Sequence, residues 1–265
     1  MVCKEYNAYK DNKIEENMLL DDDIYKNLNT NKTDGVKNII ENYVRKTKNK
    51  NFRFDEAIDS SVLFSFTLEK IFALLRGFRF LDSYHFKKKI FLGKNVKIFN
   101  KKNIRLGNNV NIGDYVKLYS LGKKNMMLGN NVNIGSFSQL VTSVSLDNIG
   151  ECIEIGNNVG MGEFAYIGGA GGVKIGDDTI IGQYLSLHPE NHNYSDPNLL
   201  IREQGVTRKG IVVGKNCWLG SKVTILDGVT IGDGCVIAAG SVVTKSFPDN
   251  VIIGGVPAKI IKDRI

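Results

Sequence analysis

Two of the three histidines in the 265-residue chain, His188 and His192, stand four residues apart in the polar run HPENHNYSDPNLLIREQGVTRKG at positions 188–210. An imidazole with its ordinary pKa of about 6.5 can take a proton from a hydroxyl and hand it on at neutral pH, so this run can supply a general base. Glu190 and Asp196 stand close enough in sequence to orient such a ring. The other reactive side chains offer less. The four cysteines, at 3, 152, 217 and 235, form no CxxC and no Cys/His cluster, so neither a structural zinc site nor a disulfide scaffold is expected, and no metal is required. The GGAGG run at 168–172 does not fit GxxxxGK[ST], and no helical pattern follows it. A flexible corner is the expected reading.

A repeat must position the histidines. From Leu92-Gly93 onward an aliphatic-Gly dipeptide recurs, through Leu106-Gly107, Ile112-Gly113, Leu128-Gly129 and Ile134-Gly135 to Leu219-Gly220 and Ile231-Gly232. Four residues after the aliphatic comes a small or branched side chain, as at Val110, Val132, Ser138, Ala165, Thr179, Cys217 and Cys235. The 28 glycines against 4 prolines show no period of three, which excludes collagen. A period of six does not sit on the helical period, and it lacks the turns of a hairpin sheet. It does fit a coil with three flat sides, about 18 residues per turn, aliphatics inward and Gly or Asn at corners that need positive φ. Cys217 and Cys235, Trp218 and Val236, and Leu219 and Ile237 should then stack in successive turns, with the cysteines as interior fillers. The repeat breaks once, between Leu187 and Ile211, and ordering a loop of that size is costly unless it is used.

Composition sets the frame. Apolar residues at 42% and charged residues at 24% describe a soluble globular chain. No apolar run reaches about 18 residues, so a spanning helix is not expected. The N-terminus MVCKEYNAYKDN lacks an apolar h-region, so export is not expected and the cytoplasm is the default compartment. The net charge of +7 is uneven: residues 1–34 carry −3, residues 35–105 carry +11 and the remainder −1. The basic segment reads first as a solvated helical face. An anionic glycan or a membrane surface would also suit it, whereas no nucleic-acid motif accompanies it. Residues 1–34 are polar and read as partly flexible. Residues 35–91 read as helical, with Val36, Ile39, Ile40, Tyr43 and Val44, then Leu63, Phe66, Ile71, Leu74, Leu75 and Phe78, at helical spacing. The second helix suits core packing or subunit contact, and secondarily a bilayer surface with Lys70, Arg76 and Arg79 at its edge.

With its hexapeptide motifs, and above all in the run GKNCWLGSKVTILDGVTIGDGCVIAAGSVVTKSFPDNVIIGGVPAKII, the sequence resembles the hexapeptide-repeat acyltransferases. The likeness is to the branch that acetylates sugar hydroxyls, the maltose, galactoside and capsular polysaccharide O-acetyltransferases. It covers about residues 92–265 and leaves residues 1–91 without a family account. The resemblance implies a mainly β fold, a left-handed parallel β-helix preceded by an α-helical region and interrupted by the loop at 188–210. It implies a homotrimer with acetyl-CoA between adjacent β-helices, and acetyl transfer to a hydroxyl of a sugar or bacterial surface polysaccharide. An acidic acceptor would suit the basic segment.

His192 falls where the family places its catalytic histidine; His188 does not. Relatives carry His-x-His where this chain has Glu190-Asn191-His192. By the same resemblance Trp218 walls the pocket, the Ser221 N–H meets the oxyanion, and Tyr194, Glu190, His188 and Glu163 border the acceptor. Glu163 follows Gly162, where galactoside-type relatives place an asparagine, so a simple galactoside is not the expected substrate. Gly220, Ser221, Ala238 and Ala239 would let the pantetheine arm approach. Thr244, Lys245, Lys259 and Lys262 would lie near the nucleotide and its phosphates. Three alternatives stay open: N-acetylation of a nucleotide-linked amino sugar on the same fold, a β-helical zinc carbonic anhydrase, and a structural or binding role. The second needs three histidine ligands at subunit junctions, which His85 and the paired loop histidines do not suit.

Overall fold

The computed structural model describes residues 37–42, 44–46, 50–55 and 57–265. The segment read as flexible, 1–34, lies outside them, as do Val36 and Tyr43. The chain divides into two compact units, one up to Ser65 and one from Phe66 onward. In the first, residues 37–42 and 44–46 are helical. Arg45 donates to Glu41 (2.6 Å) and to the Phe52 carbonyl (2.7 Å). Asp59 caps the helix Ser60–Gly77 by accepting the Val62 N–H at 2.9 Å.

The second unit is a left-handed parallel β-helix of three sheets. Its first face holds Ile90–Leu92, Val110–Ile112, Asn133–Ile134, Gly160–Met161, Ile180–Ile181, Trp218–Leu219, Val236–Ile237 and Val251–Gly255. The second face runs from Lys97–Phe99 through Ser186–His188 to Val242–Val243, and the third from Ile104–Leu106 through Ile211–Val213 to Thr230–Ile231. Leu92 stacks on Ile112, Ile112 on Ile134, Met161 on Ile181, and Leu219 on Ile237. The small and branched positions of the repeat are buried with them, including Val110, Ser138, Ala165, Thr179, Cys217 and Cys235. Each fully buried Val, Leu or Ile stabilises by about 1.5–3 kcal/mol, so the fold rests on this interior column.

The corners meet the expectation in part, with positive φ at Asn109, Asn131, Asn158, Asn216, Gly234 and Gly240. The glycines of the aliphatic-Gly pairs are not left-handed. They are there because the next coil passes too close for a side chain: a Cβ on Gly107 would stand 2.4 Å from the Gly129 carbonyl oxygen. Positive φ falls two residues later. At the corner from the third face to the first, Asn109, Asn131, Asn158, Asp178 and Asn216 hold it. At the corner from the first face to the second, Tyr115, Phe137, Phe164 and Tyr184 hold it, at φ between 57° and 61°. Bulky side chains seldom adopt that conformation. Here their rings stack 5.0–5.2 Å apart in one ladder, which offsets part of the strain.

The coils also vary in length, and all of the variation falls on the edge from the second face to the third. From the first face to the second the interior positions stay six apart: Leu92 to Ile98, Met161 to Ile167, Ile181 to Leu187. From the second face to the third, Ile167 is followed by Ile175, Leu140 by Ile155 and Leu187 by Val213. The repeat is therefore interrupted more than once. A second insertion, residues 142–152, lies on the same edge as the loop 188–210. Stacked partners are 18 apart only between Trp218 and Val236 and their neighbours; Ile90 pairs with Val110 and Ile180 with Trp218.

Below the first coil, Phe80 is fully buried and His85 nearly so. His85 Nε2 accepts the Leu106 N–H at 3.1 Å, while Nδ1 donates to Asp82 at 2.7 Å. That arrangement needs a neutral ring. Burial pushes the His85 pKa below its ordinary value, and Asp82 opposes that only in part. Stability is therefore complete above the unfolded pKa of about 6.5. It should fall as acid is added, because the unfolded chain takes up the proton that the folded ring resists. Melting followed from pH 8 to pH 5 should show this loss, and His85→Gln should flatten it; an unchanged profile in that variant would assign the acid sensitivity elsewhere.

Candidate functional site

The long loop leaves the second face after Ser186–His188. It returns as an antiparallel pair, Asn191 opposite Thr207 and His192 opposite Val206. Beyond the pair, amide side chains organise the tip. Gln204 donates to the carbonyls of Asp196 (2.8 Å) and Leu199 (3.0 Å) and accepts the Asp196 N–H (3.1 Å). Asn193 donates to the Gln204 carbonyl at 2.9 Å. At the base, Arg208 donates to Glu190 (2.6 Å), to the Asn148 side chain (2.7 Å) and to the Ile149 carbonyl (3.0 Å). Arg208 thus ties the loop to the neighbouring insertion. The GGAGG run lies between the two and is close-packed rather than a loose corner. A Cβ on Gly171 would come 2.2 Å from the Pro189 carbonyl oxygen.

His192 sits on this arm with an exposed ring that hydrogen-bonds to no described residue. His188 is tied down: its Nε2 is 2.7 Å from the Ser186 hydroxyl, and its ring stacks on Tyr166 at 5.5 Å. No hydrogen bond joins Glu190 or Asp196 to the His192 ring. Glu190 is engaged by Arg208, and Asp196 accepts the Asn198 N–H at 2.9 Å. Tyr194 projects from the loop, 77% exposed.

A different edge carries most of the remaining residues. Trp218, exposed on the first face between Ile180 and Val236, leads into the corner Gly220-Ser221-Lys222. Glu163, Gln183, Ser221 and Ala239 occupy this corner in successive coils. The bonds Tyr184 N–H to Glu163, Lys222 N–H to Gln183 and Gly240 N–H to Ser221 hold them in register, at 2.8–2.9 Å. The Ser221 hydroxyl donates to Gln183 at 2.9 Å, and no hydrogen bond within the described protein uses the Ser221 N–H. A Cβ on Gly240 would meet nothing within 4 Å, so the Ala238-Ala239-Gly240 strip borders open space. An unpaired amide beside an open strip of small residues fits a thioester carbonyl and its narrow arm.

The expected nucleotide-binding residues divide. Lys259 and Lys262 lie on the returning strand Ala258–Asp263, opposite Gly254 and Ile252 on the first face. Thr244 and Lys245 follow Val242–Val243 onto the edge of the long loop, with Lys245 over the Phe247 ring at 5.7 Å. One chain therefore does not bring these two pairs together.

The described thiols are Cys152, Cys217 and Cys235. Burial pushes the Cys217 pKa up to about 11 and raises Cys235 and Cys152 as well, so all three stay protonated. Among the described residues no His, Cys, Asp and Glu group could hold a metal ion.

Arg208, Asn148 and Gln183 were not singled out in the sequence. Arg208 and Asn148 are sixty positions apart, and nothing in a single sequence links them. Arg208→Gln is expected to open the 188–210 loop to proteolysis while the coils keep their circular dichroism; an unchanged rate of cutting would mean that other contacts hold the arm.

Residues 210–245 match the family described as bacterial transferase hexapeptide (six repeats). WbbJ of Escherichia coli, named as a lipopolysaccharide biosynthesis O-acetyl transferase, is 35% identical over 113 residues, 40% of this chain and 58% of that protein. The galactoside O-acetyltransferase of Escherichia coli is 39% identical over 96 residues, 34% of this chain and 44% of that protein. The chain thus spans about half the length of these curated relatives. Among solved structures, AntD, an N-acyltransferase from Bacillus cereus in complex with dTDP and 3-hydroxybutyryl-CoA, overlaps with a TM-score of 0.39 at 25% identity, over 66% of this chain and 82% of that one. Residues 210–245 thus resemble the hexapeptide-repeat transferases, and coils that carry the same pattern run from Ile90 to Gly255.

Proposed function

We propose that the protein transfers an acetyl group from acetyl-CoA to a hydroxyl of a sugar or surface polysaccharide, as a homotrimer whose sites lie between chains. One observation carries this reading. His192 projects from the edge between the second and third faces, and the Trp218–Ser221 corner lies on the edge between the first and second. The whole second face separates them. A base and an oxyanion donor so placed can meet only when the arm of one chain reaches the corner of another.

In that arrangement His192 takes the proton of the acceptor hydroxyl as its oxygen bonds to the thioester carbon. The Ser221 N–H donates to the carbonyl oxygen as it gains charge. When the carbon–sulfur bond breaks, the imidazolium returns the proton to the departing sulfur. Trp218 offers an indole face to a sugar ring, and Glu163 and Tyr194 border the acceptor. Ala238 and Ala239 leave room for the pantetheine arm, and Lys259 and Lys262 supply cations for its phosphates. Relatives named for O-acetylation of lipopolysaccharide and galactoside support the reading.

The test is incubation with acetyl-CoA and a panel of neutral and acidic glycans, following thiol release and the acetyl mass increment. An alkali-labile increment is expected, since an ester hydrolyses where an amide survives. An alkali-stable increment would favour N-acetylation of an amino sugar, and no thiol release with any glycan would remove the proposal.

A further inference from the structure

Among the described residues, the helix Ser60–Gly77 and the segment after it leave a broad apolar face uncovered. Leu68, Ile71, Phe72 and Leu75 recur at helical spacing on one side, and Phe78, Leu81 and Phe86 extend the same surface. Phe72, Leu75, Phe78, Leu81 and Phe86 are each more than half exposed. The opposite side, with Ala73 and Gly77, is buried. Between Phe78, Leu81 and Phe86 an apolar cavity of about 310 Å³ opens, with Lys87 and Lys88 at its rim. So much clustered apolar surface has a partner.

Charge says which. Residues 66–105 carry eleven Lys and Arg against two acids, Glu69 and Asp82. Lys70, Arg76 and Arg79, which the sequence reading set at the edge of this face, are held by hydrogen bonds within the protein. They donate to the Asn111 side chain, the Leu92 carbonyl and the Val96 carbonyl. Lys88 and Lys101 also bond carbonyls, of Leu106 and Arg79. None of these partners is a carboxylate, so the bonds hold the cations in place without neutralising them. Lys87 stands beside the exposed Phe86 ring, its Nζ 5.5 Å from the centroid, an apolar body with a cation at its margin. Two copies of so cationic a face would repel each other, whereas an anionic bilayer surface would satisfy both the charge and the apolar side chains. No helix among the described residues is long and apolar enough to cross a membrane, so the helix would lie in the interface.

We infer that this face docks the protein on the surface of a bilayer containing anionic phospholipid, with Phe72, Leu75, Phe78, Leu81 and Phe86 entering the headgroup boundary and the surrounding lysines meeting phosphates. The inference does not rest on the acetyltransferase reading. The full chain is mixed with phosphatidylcholine vesicles and with phosphatidylcholine–phosphatidylglycerol vesicles, then floated. Binding is expected on the anionic vesicles, weakened by salt. The double variant Phe72→Asp/Leu75→Asp should bind about tenfold less or worse. Its melting temperature and its oligomeric mass by light scattering should be unchanged. Lys87→Glu, on the rim and outside the helix, should weaken binding without touching the apolar stripe. No binding by the full chain would overturn the inference. Binding equal in variant and parent, or a variant whose oligomer falls apart, would overturn it in favour of another surface or a second copy.

Discussion

His192→Ala is expected to lower acetyl transfer by about two to four orders of magnitude, the usual worth of a positioned general base. The ring is exposed and hydrogen-bonds to no described residue, so its removal leaves no buried group unpaired and the melting temperature should hold. CoA affinity should hold too, because the open strip Ala238-Ala239-Gly240 lies on another edge of the coil. His188→Ala should cost far less, since that ring is already occupied by Ser186 and Tyr166. Thiol-release kinetics beside calorimetry with CoA would check all three. Near-normal turnover in His192→Ala would remove the base from the proposed mechanism.

The second large effect concerns assembly. Ala239→Trp places an indole in the open strip and should abolish CoA binding without disturbing the interior, because Ala239 is exposed. Co-expressed with His192→Ala chains, each inactive alone, it should recover about a quarter of the parental sites. In a mixed closed ring, about one site in four pairs an intact arm with an intact corner. Tagged chains and native mass spectrometry would establish the mixing. Mixed oligomers with no activity would show that arm and corner act within one chain, contrary to their separation by the second face.

Much of the architecture was legible because the constraint is local and repeats. A side chain facing into a three-sided column must be aliphatic or small, and every side re-imposes that demand. Val116, Val159, Thr179, Cys217 and Cys235 could therefore be placed inside, and all are buried. The insertions were harder. A period of six shows that an interval is irregular but not which edge absorbs it. The second insertion, 142–152, went unread for that reason. So did the ring ladder: Tyr115, Phe137, Phe164 and Tyr184 are spaced 22, 27 and 20 apart. Asn109, Asn131, Asn158 and Asp178 have the same spacings, because both corners inherit the same extra residues.

The order of residues alone thus decided the coil, its filling and the loop that bears His188 and His192, since each follows from which side chains tolerate burial at close range. Only the folded chain decided that Arg208 occupies Glu190, that Lys70, Arg76 and Arg79 bond to Asn111 and to the Leu92 and Val96 carbonyls, and that the imidazole arm and the Ser221 corner stand on separate edges. Those outcomes depend on hydrogen bonds and contacts between positions distant along the chain. Their partners are chosen by where stacking the coils brings them, which no local pattern encodes.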